Sequence, residues 1–333
     1  MSAATYDVLG IGNAIVDVLA TADDNFLTQH GMTKGAMALI DEGQATAIYK
    51  AMGPATEISG GSAANTIAGL ASFGARAAFV GKVRDDQLGD VFGHDIKAAH
   101  VTFDTPVAKT GAATARSYIL VSPDGERTMN TFLGAAQDLS PADIDPAQIA
   151  ASSIVYLEGY LWDPKDAKEA FLKASKIAHD NKRAVALTLS DAFSVGRYRD
   201  EFLDLIKTKT VDLVFANEAE LTSLYQIDDF DKALTQLRND ASLAVITRSE
   251  KGCVVVAKDK VTAVPAFPVK QVVDTTGAGD LFAAGFLFGT VRGLTHEQSG
   301  RLGALAAAEV IQHIGARPQT SLKALAQAQG LAV

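Results

Sequence analysis

Short apolar runs rich in β-branched residues alternate along the chain with longer stretches whose apolar positions recur at helical spacing. The pattern predicts strands at Tyr6 to Ile11, Ala77 to Val80, Ile154 to Leu157, Ala184 to Leu187, Leu213 to Ala216 and Leu243 to Thr247. Most are continuously apolar, as strands buried on both faces are. Between them, Pro164 to His179 and Phe230 to Asn239 carry amphipathic helical patterns. Strand alternating with helix is the signature of right-handed βαβ crossovers and a largely parallel sheet.

Two regions, Ile15 to Leu39 and Pro106 to Leu133, break this rhythm. In the second, strands flank a turn at Ser122-Pro123-Asp124-Gly125, which reads as a hairpin. Neither holds a clear crossover helix, so both are expected to build a small β-layer at the edge of the main sheet, from about 13–40 and 106–133. Such a layer serves as a lid over a site or as a dimerisation surface, and the chain is expected as a monomer or a homodimer through it. With no repeat, low-complexity tract or long linker, residues 1–333 read as one principal domain. The length, at roughly 100–200 residues per domain, agrees.

Charge narrows the partners. Lys and Arg number 30 against 39 Asp and Glu, a formal net charge of -9. A nucleic-acid scaffold needs a basic footprint, and there is none. No apolar stretch approaches the ~20 residues of a membrane span, and the first basic residue is Lys34, so the chain reads as cytoplasmic, away from membranes. Cys253 is the one cysteine; its apolar run to Ala257 reads as a buried strand, without disulfide or thiolate zinc chemistry.

The segment Asp274-Thr275-Thr276-Gly277-Ala278-Gly279-Asp280 follows a β-like Phe267 to Val273 and opens an apolar helix, Leu281 to Val291. Small residues at a strand-to-helix turn leave backbone N–H groups bare at the positive end of the helix, an anion pocket suited to phosphate. Asp280 beside it could accept the proton of an attacking hydroxyl. It could equally cap the helix, with the glycines merely turning the chain. In Gly60-Gly61-Ser62-Ala63-Ala64-Asn65, paired glycines allow close approach of a ligand, and Asn65, three residues after the expected cap Ser62, could bind a polyol or serve the cap. Period two puts Ile15, Asp17 and Leu19 on one strand face. A carboxylate there costs several kcal/mol unless ligand hydroxyls or a structural cation bind it. Asn217 with Glu220 fits an N-cap and its reciprocal partner; the sharper reading gives Glu220 metal-bound water.

Other chemistries fail on inspection. Gly81-Lys82 is followed by Val83, so there is no Walker A motif, and the histidines show no metal-ligand pair. Ile15 stands where a dinucleotide fingerprint after Gly10-Ile11-Gly12 needs Gly. Gly60 to Ala64 falls one glycine short of a hydrolase nucleophile elbow.

The two glycine-rich segments, in this order and at about this separation, resemble the two signatures of the ribokinase-like (PfkB) sugar and nucleoside kinases, and the likeness runs through essentially the whole chain. It implies a three-layer α/β/α domain with a mostly parallel sheet and a small β-lid. Gly12-Asn13-Ala14-Ile15-Val16-Asp17, Glu158-Gly159-Tyr160, Leu187-Thr188-Leu189-Ser190 and Asn217-Glu218-Ala219-Glu220 are similar to runs in the adenosine kinases of that family. The resemblance implies that Asp17, with Asn13, Gly60, Gly61 and Asn65, binds ribose hydroxyls. Asp280 would be the base that deprotonates the 5′-hydroxyl, and Gly277, Ala278 and Gly279 the anion hole. Arg127 would approach the transferred phosphate, and Asn217 and Glu220 would organise magnesium and phosphate. Thr247, Gly252, Thr276 and Gly279 would face ATP, with Asp274 beside a monovalent-cation (K+) site. Met129, Leu161 and Trp162 are the candidates for an adenine slot. Ser249 and Arg84 stand where the family commonly has glycine.

The expected function is therefore an ATP- and magnesium-dependent kinase acting on a primary 5′-hydroxyl, adenosine to AMP. The alternatives are a PfkB-type kinase of ribose, fructose or 2-keto-3-deoxygluconate, and a catalytically silent nucleoside-binding protein of the same fold.

Overall fold

The computed structural model describes residues 4–258 and 260–333. The early strands are β1 (Tyr6–Ile11), β2 (Ile15–Thr21), β3 (Met37–Leu39), β4 (Thr56–Gly60), β5 (Ala77–Val80) and β6 (Val101–Thr102). The hairpin strands are β7 (Ala115–Val121) and β8 (Arg127–Phe132), followed by β9 (Ser152–Glu158), β10 (Ala184–Thr188) and β11 (Leu213–Asn217). The last three are β12 (Leu243–Thr247), β13 (Cys253–Ala257) and β14 (Lys260–Val264).

Among the described residues they form a nine-stranded sheet, ordered β14-β13-β12-β11-β10-β9-β1-β5-β6, and a five-stranded sheet, ordered β3-β8-β7-β2-β4. The large sheet is parallel from β6 to β12 and antiparallel at β13 and β14. Side chains alternate across it. Val8, Phe79, Ala186, Phe215 and Val245 enter one core with helices Ser62–Ser72, Ala278–Val291 and His296–Val310. Leu9, Ile11, Val155, Leu187 and Val214 enter another with helices Lys165–Asp180, Ala192–Lys207 and Phe230–Asp240. Two apolar faces covered by helices make the three layers, as expected. Among the described residues, no helix is long and apolar enough to cross a membrane.

The small sheet joins the hairpin β7–β8 to β2, β3 and β4. Membership of β4 is missed by the sequence pattern, because Thr56–Gly60 is short and begins polar. A short helix, Asp24–Gln29, also interrupts the first region. Phe267 to Val273 is not a strand; with Pro265 and Pro268 nearby it runs as a loop, and the last strand before the glycine-rich turn is β14.

Ser62 does not cap its helix. Gly61, at φ 96°, occupies the cap position, which frees the Ser62 hydroxyl for another partner. Arg84 ties its loop to the base of the hairpin: its N–H donates to Thr114 Oγ1 at 3.0 Å and its guanidinium to the Gly111 carbonyl. Ser249 holds φ 50°, the left-handed conformation glycine would adopt freely.

Candidate active site

A cavity of about 830 Å³ lies between the carboxyl ends of the parallel strands and the small sheet. Open α/β sheets bind ligands at this edge. Asn13, Glu158, Thr188, Asn217 and Thr247 line it from the main sheet, and Ile15, Asp17, Met37, Leu39, Ile119 and Met129 from the lid.

Asp280 stands in the first turn of helix Ala278–Val291, behind Gly277 at φ 78°. Its carboxylate accepts from Ser62 Oγ at 2.6 Å and from Asn65 Nδ2 at 3.0 Å. Burial pushes its carboxyl above the ordinary range, while the Ser62 and Asn65 donors and the charge of Arg317 pull it back. Beside it, the Ala278 amide is taken by the Thr275 carbonyl at 3.2 Å and the Thr276 amide by Asp274 at 2.9 Å. The amides of Gly277, Gly279 and Asp280 have no partner among the described residues. An anion seated at this helix start would meet the amides of Gly277, Gly279 and Asp280, whereas the Ala278 amide is committed to the turn.

On β2, Ile15, Asp17 and Leu19 share the less buried face, opposite Val16, Val18 and Ala20. Gly60 lies directly over the Asp17 carboxylate, where a Cβ would collide with it. Gly61 has the same relation to the Asn13 carbonyl. Burial pushes Asp17 up to about 7, with Arg317 opposing and Asp280 adding to the rise. Two buried acceptors, Asn13 Oδ1 and Asn65 Oδ1, have no partner among the described residues. Around this carboxylate the chain therefore leaves hydrogen-bonding capacity that a polyol would fill.

Glu158 ends β9 with its side chain buried, accepting from Asn13 Nδ2 at 2.6 Å and from the Ala63 amide at 2.8 Å. Burial pushes it up to about 7, against those donors. Asn217 and Glu220 form the full capping box, with Asn217 Nδ2 donating to Glu220 Oε1 at 2.6 Å, and both also line the cavity. Burial pushes Glu220 up to about 7. Among the described residues no cluster of three or more His, Cys, Asp or Glu could cage a metal. One carboxylate beside an anion pocket fits a hard cation that arrives on phosphate oxygens and keeps its waters.

Arg127, at the start of β8, reaches across from the lid to ion-pair with Asp274 and donates to Thr276 Oγ1 at 3.1 Å. Its Nη2 is buried without an acceptor among the described residues. Asp274 also accepts from the amides of Thr276 and Gly315, each at 2.9 Å. A monovalent cation on this side chain would meet a guanidinium already in place, so Asp274 is a clasp rather than an open cation ligand.

Leu161 and Trp162 do not reach the cavity. Their 3-10 turn sends both into the core beneath the sheet, 1% and 3% exposed, and Trp162 Nε1 donates to Glu201 at 2.8 Å. Their neighbour Tyr160 lines the cavity instead, as do Met129 and Leu133. Gly252 also lies off the cavity lining; at φ 84° it closes the turn before β13, its carbonyl accepting from the Arg248 amide at 2.7 Å. Thr247, Thr276, Gly277, Ala278 and Gly279 line the cavity. Sequence pattern gives no signal for Arg317, a half-buried residue whose charge acts on Asp17 and Asp280; desolvation pushes it down to about 10, with Asp95, Asp17 and Asp280 opposing.

A three-layer α/β core with a small sheet over its cavity, a carboxylate held by two donors and open helix-start amides is the architecture of a phosphotransferase acting on an alcohol. Residues 49–323 match the profile of the pfkB family carbohydrate kinases, and the chain belongs to that family. The crystal structure of a probable sugar kinase protein from Rhizobium etli CFN 42 superposes with TM-score 0.93 at 50% identity, covering 99% of this chain and 100% of that one. The adenosine kinase from Sinorhizobium meliloti gives TM-score 0.92 at 54% identity, covering 98% and 100%. Fructokinase-1 of Oryza sativa subsp. japonica is 31% identical over 237 residues, 68% of this chain and 72% of that protein.

Proposed function

We propose that this kinase phosphorylates the 5′-hydroxyl of adenosine with ATP, giving AMP and ADP. The observation that carries the reading is the continuity of the cavity. It runs from Asp280 and its anion hole, past the unpartnered Asp17, to an apolar wall of Ile15, Leu39, Met129, Leu133 and Tyr160. A free sugar has hydroxyls on every side and would leave that wall unmatched, whereas a ribosyl purine presents hydroxyls to Asp17 and a flat apolar base to the wall. The likeness to the Sinorhizobium meliloti adenosine kinase supports the same choice.

In this reading Asp17, Asn13 and Asn65 take the ribose hydroxyls and orient the 5′-oxygen toward Asp280. Asp280 accepts the hydroxyl proton as that oxygen bonds to the γ-phosphorus and the bond to the ADP oxygen breaks. The amides of Gly277, Gly279 and Asp280 hold the charge on the transferring group without reorganising. Asn217 and Glu220 would hold magnesium through water, and magnesium when bound neutralises phosphate charge. Net charge cannot attract ATP, so these local donors and Arg127 must. The setting is a cytoplasmic purine-salvage step, by a monomer or a dimer paired through the lid.

The sugar-kinase reading rests on the Rhizobium etli and Oryza sativa relatives. ADP release measured against a panel of nucleosides and sugars separates the two. Adenosine is expected to give the highest kcat/KM; a sugar outpacing every nucleoside overturns the proposal.

A further inference from the structure

Arg317 sits in the loop after helix His296–Val310, and its guanidinium is given wholly to one short segment. Nε and Nη2 donate to the Ser59 carbonyl at 3.1 and 3.0 Å, Nη2 also to Ser59 Oγ at 3.0 Å, and Nη1 to the Ala64 carbonyl at 3.1 Å. Ser59 and Ala64 flank the entry to helix Ser62–Ser72, whose first turn carries the two donors on Asp280, Ser62 and Asn65. Ser59 is held from its other side by Asp95 of helix Gln87–Ala98, whose carboxylate accepts the Ser59 amide at 2.7 Å.

We propose that Arg317 is a positioning residue for phosphoryl transfer, clamping the helix start that aims Ser62 and Asn65 at Asp280 and placing a half-buried positive charge before the two cavity carboxylates. Its hydrogen bonds all go to uncharged oxygens, none of which offsets the cost of desolvating a positive charge. Burying a guanidinium here is accounted for by what faces it: Asp17 from β2, Asp280 from its helix and Asp95 from the third side. Glu158 of β9 and the phenols of Tyr156 and Tyr160 also face Asp280, and none of them brings positive charge. A planar fork reaches the Ser59 and Ala64 carbonyls from three nitrogens held in one rigid plane, a spread that the single nitrogen of an ammonium does not reproduce.

The inference rests on the kinase reading, so it is tested with whichever acceptor the wild-type chain phosphorylates in the panel. A wild type inactive on adenosine but active on a sugar rejects adenosine and leaves Arg317 open to the same test on that sugar. Arg317→Gln and Arg317→Lys are compared for kcat across pH and for thermal unfolding. The Gln variant is expected to lose roughly 10²-fold in kcat, the scale of a small misplacement of reacting groups. The acid limb of its kcat profile is expected to move to higher pH, because without the nearby cation Asp280 holds its proton more tightly. The Lys variant restores the charge without the fork, so its acid limb stays near that of wild type while kcat remains low. A folded Gln variant with wild-type kcat and an unmoved profile overturns the proposal. If the Gln variant does not fold, the Lys variant decides: reduced kcat with an unmoved acid limb supports it, and wild-type kcat at every pH overturns it.

Discussion

Ser62 and Asp280, 218 positions apart, meet through a 2.6 Å hydrogen bond between the starts of two helices. The contact fixes the Asp280 rotamer at the anion hole, and Asn65 holds the second carboxylate oxygen from the same helix as Ser62. A base oriented by two donors acts on the transition state more than on substrate binding. Asp280→Ala is therefore expected to lower kcat by about 10²–10⁴-fold with much smaller effects on KM. Steady-state kinetics under saturating ATP checks this, and unchanged turnover removes Asp280 from the reaction.

Asp17 has the opposite signature. It lines the cavity with no side-chain hydrogen bond among the described residues, beneath a glycine that leaves it room. Removing it takes away a partner of the ground state and the transition state alike. Asp17→Ala is expected to raise the acceptor KM by roughly 10–100-fold, the worth of about 1.5–3 kcal/mol of charged hydrogen bonding. Calorimetric titration with the acceptor should show the same loss, and an unaltered dissociation constant would make Asp17 structural.

The same carboxylate leaves a mark on stability. In the unfolded chain Asp17 ionises near the ordinary value, whereas in the folded chain burial holds its proton up to about 7. Between those values the folded state binds a proton that the unfolded state releases, so this contribution is fully present at low pH and is lost as pH rises through about 7. Asp17→Asn cannot ionise and escapes the loss. Melting temperatures of variant and wild type, measured without ligand from about pH 5 to about pH 8, should diverge in favour of the variant as pH rises. Parallel curves would contradict the burial of a titrating Asp17.

What the sequence made legible was whatever depends on near neighbours. Continuous apolar runs located β1, β5 and β12 with the observed limits, and the turn residues Pro123, Asp124 and Gly125 marked the hairpin. Asp17 betrayed itself by sitting on an apolar strand face. The misread parts turn on contacts that local pattern does not carry. Ser62 reads as a cap because nothing nearby shows its partner in a distant helix. Leu161 and Trp162 read as cavity residues because a single 3-10 turn decides which side of the sheet they enter. Arg317 gave no signal, since its partners lie 253 and 258 positions away.

Arg127 links the small sheet to the glycine-rich turn through Asp274 and Thr276, so a movement of the hairpin away from that turn requires this ion pair to break. Its unused Nη2 gives it a donor for phosphate while that pair is kept. Arg127→Ala is expected to lower kcat, and to speed amide hydrogen exchange in Ala115–Phe132 of the ligand-free protein, because the hairpin loses its anchor. Asp274→Asn should reproduce the faster exchange. Exchange in the hairpin unchanged by either substitution would show that the lid is held elsewhere.

Trp162 separates packing from recognition. Its ring lies 6.0 Å from that of Phe171 and 5.8 Å from that of Phe202, and its N–H is bound by Glu201, which also accepts from Lys168 at 2.7 Å. Every partner belongs to the helical layer under the sheet. Trp162→Phe keeps most of the apolar volume and leaves the carboxylate one donor short, at a cost of about 1–3 kcal/mol for a hydrogen bond to a charged group. Chemical denaturation should show that loss as a lower midpoint with the slope unchanged, while the acceptor KM stays at the wild-type value. A residue stacked on the base would do the reverse, raising KM with stability intact, and that outcome would return Trp162 to the cavity wall.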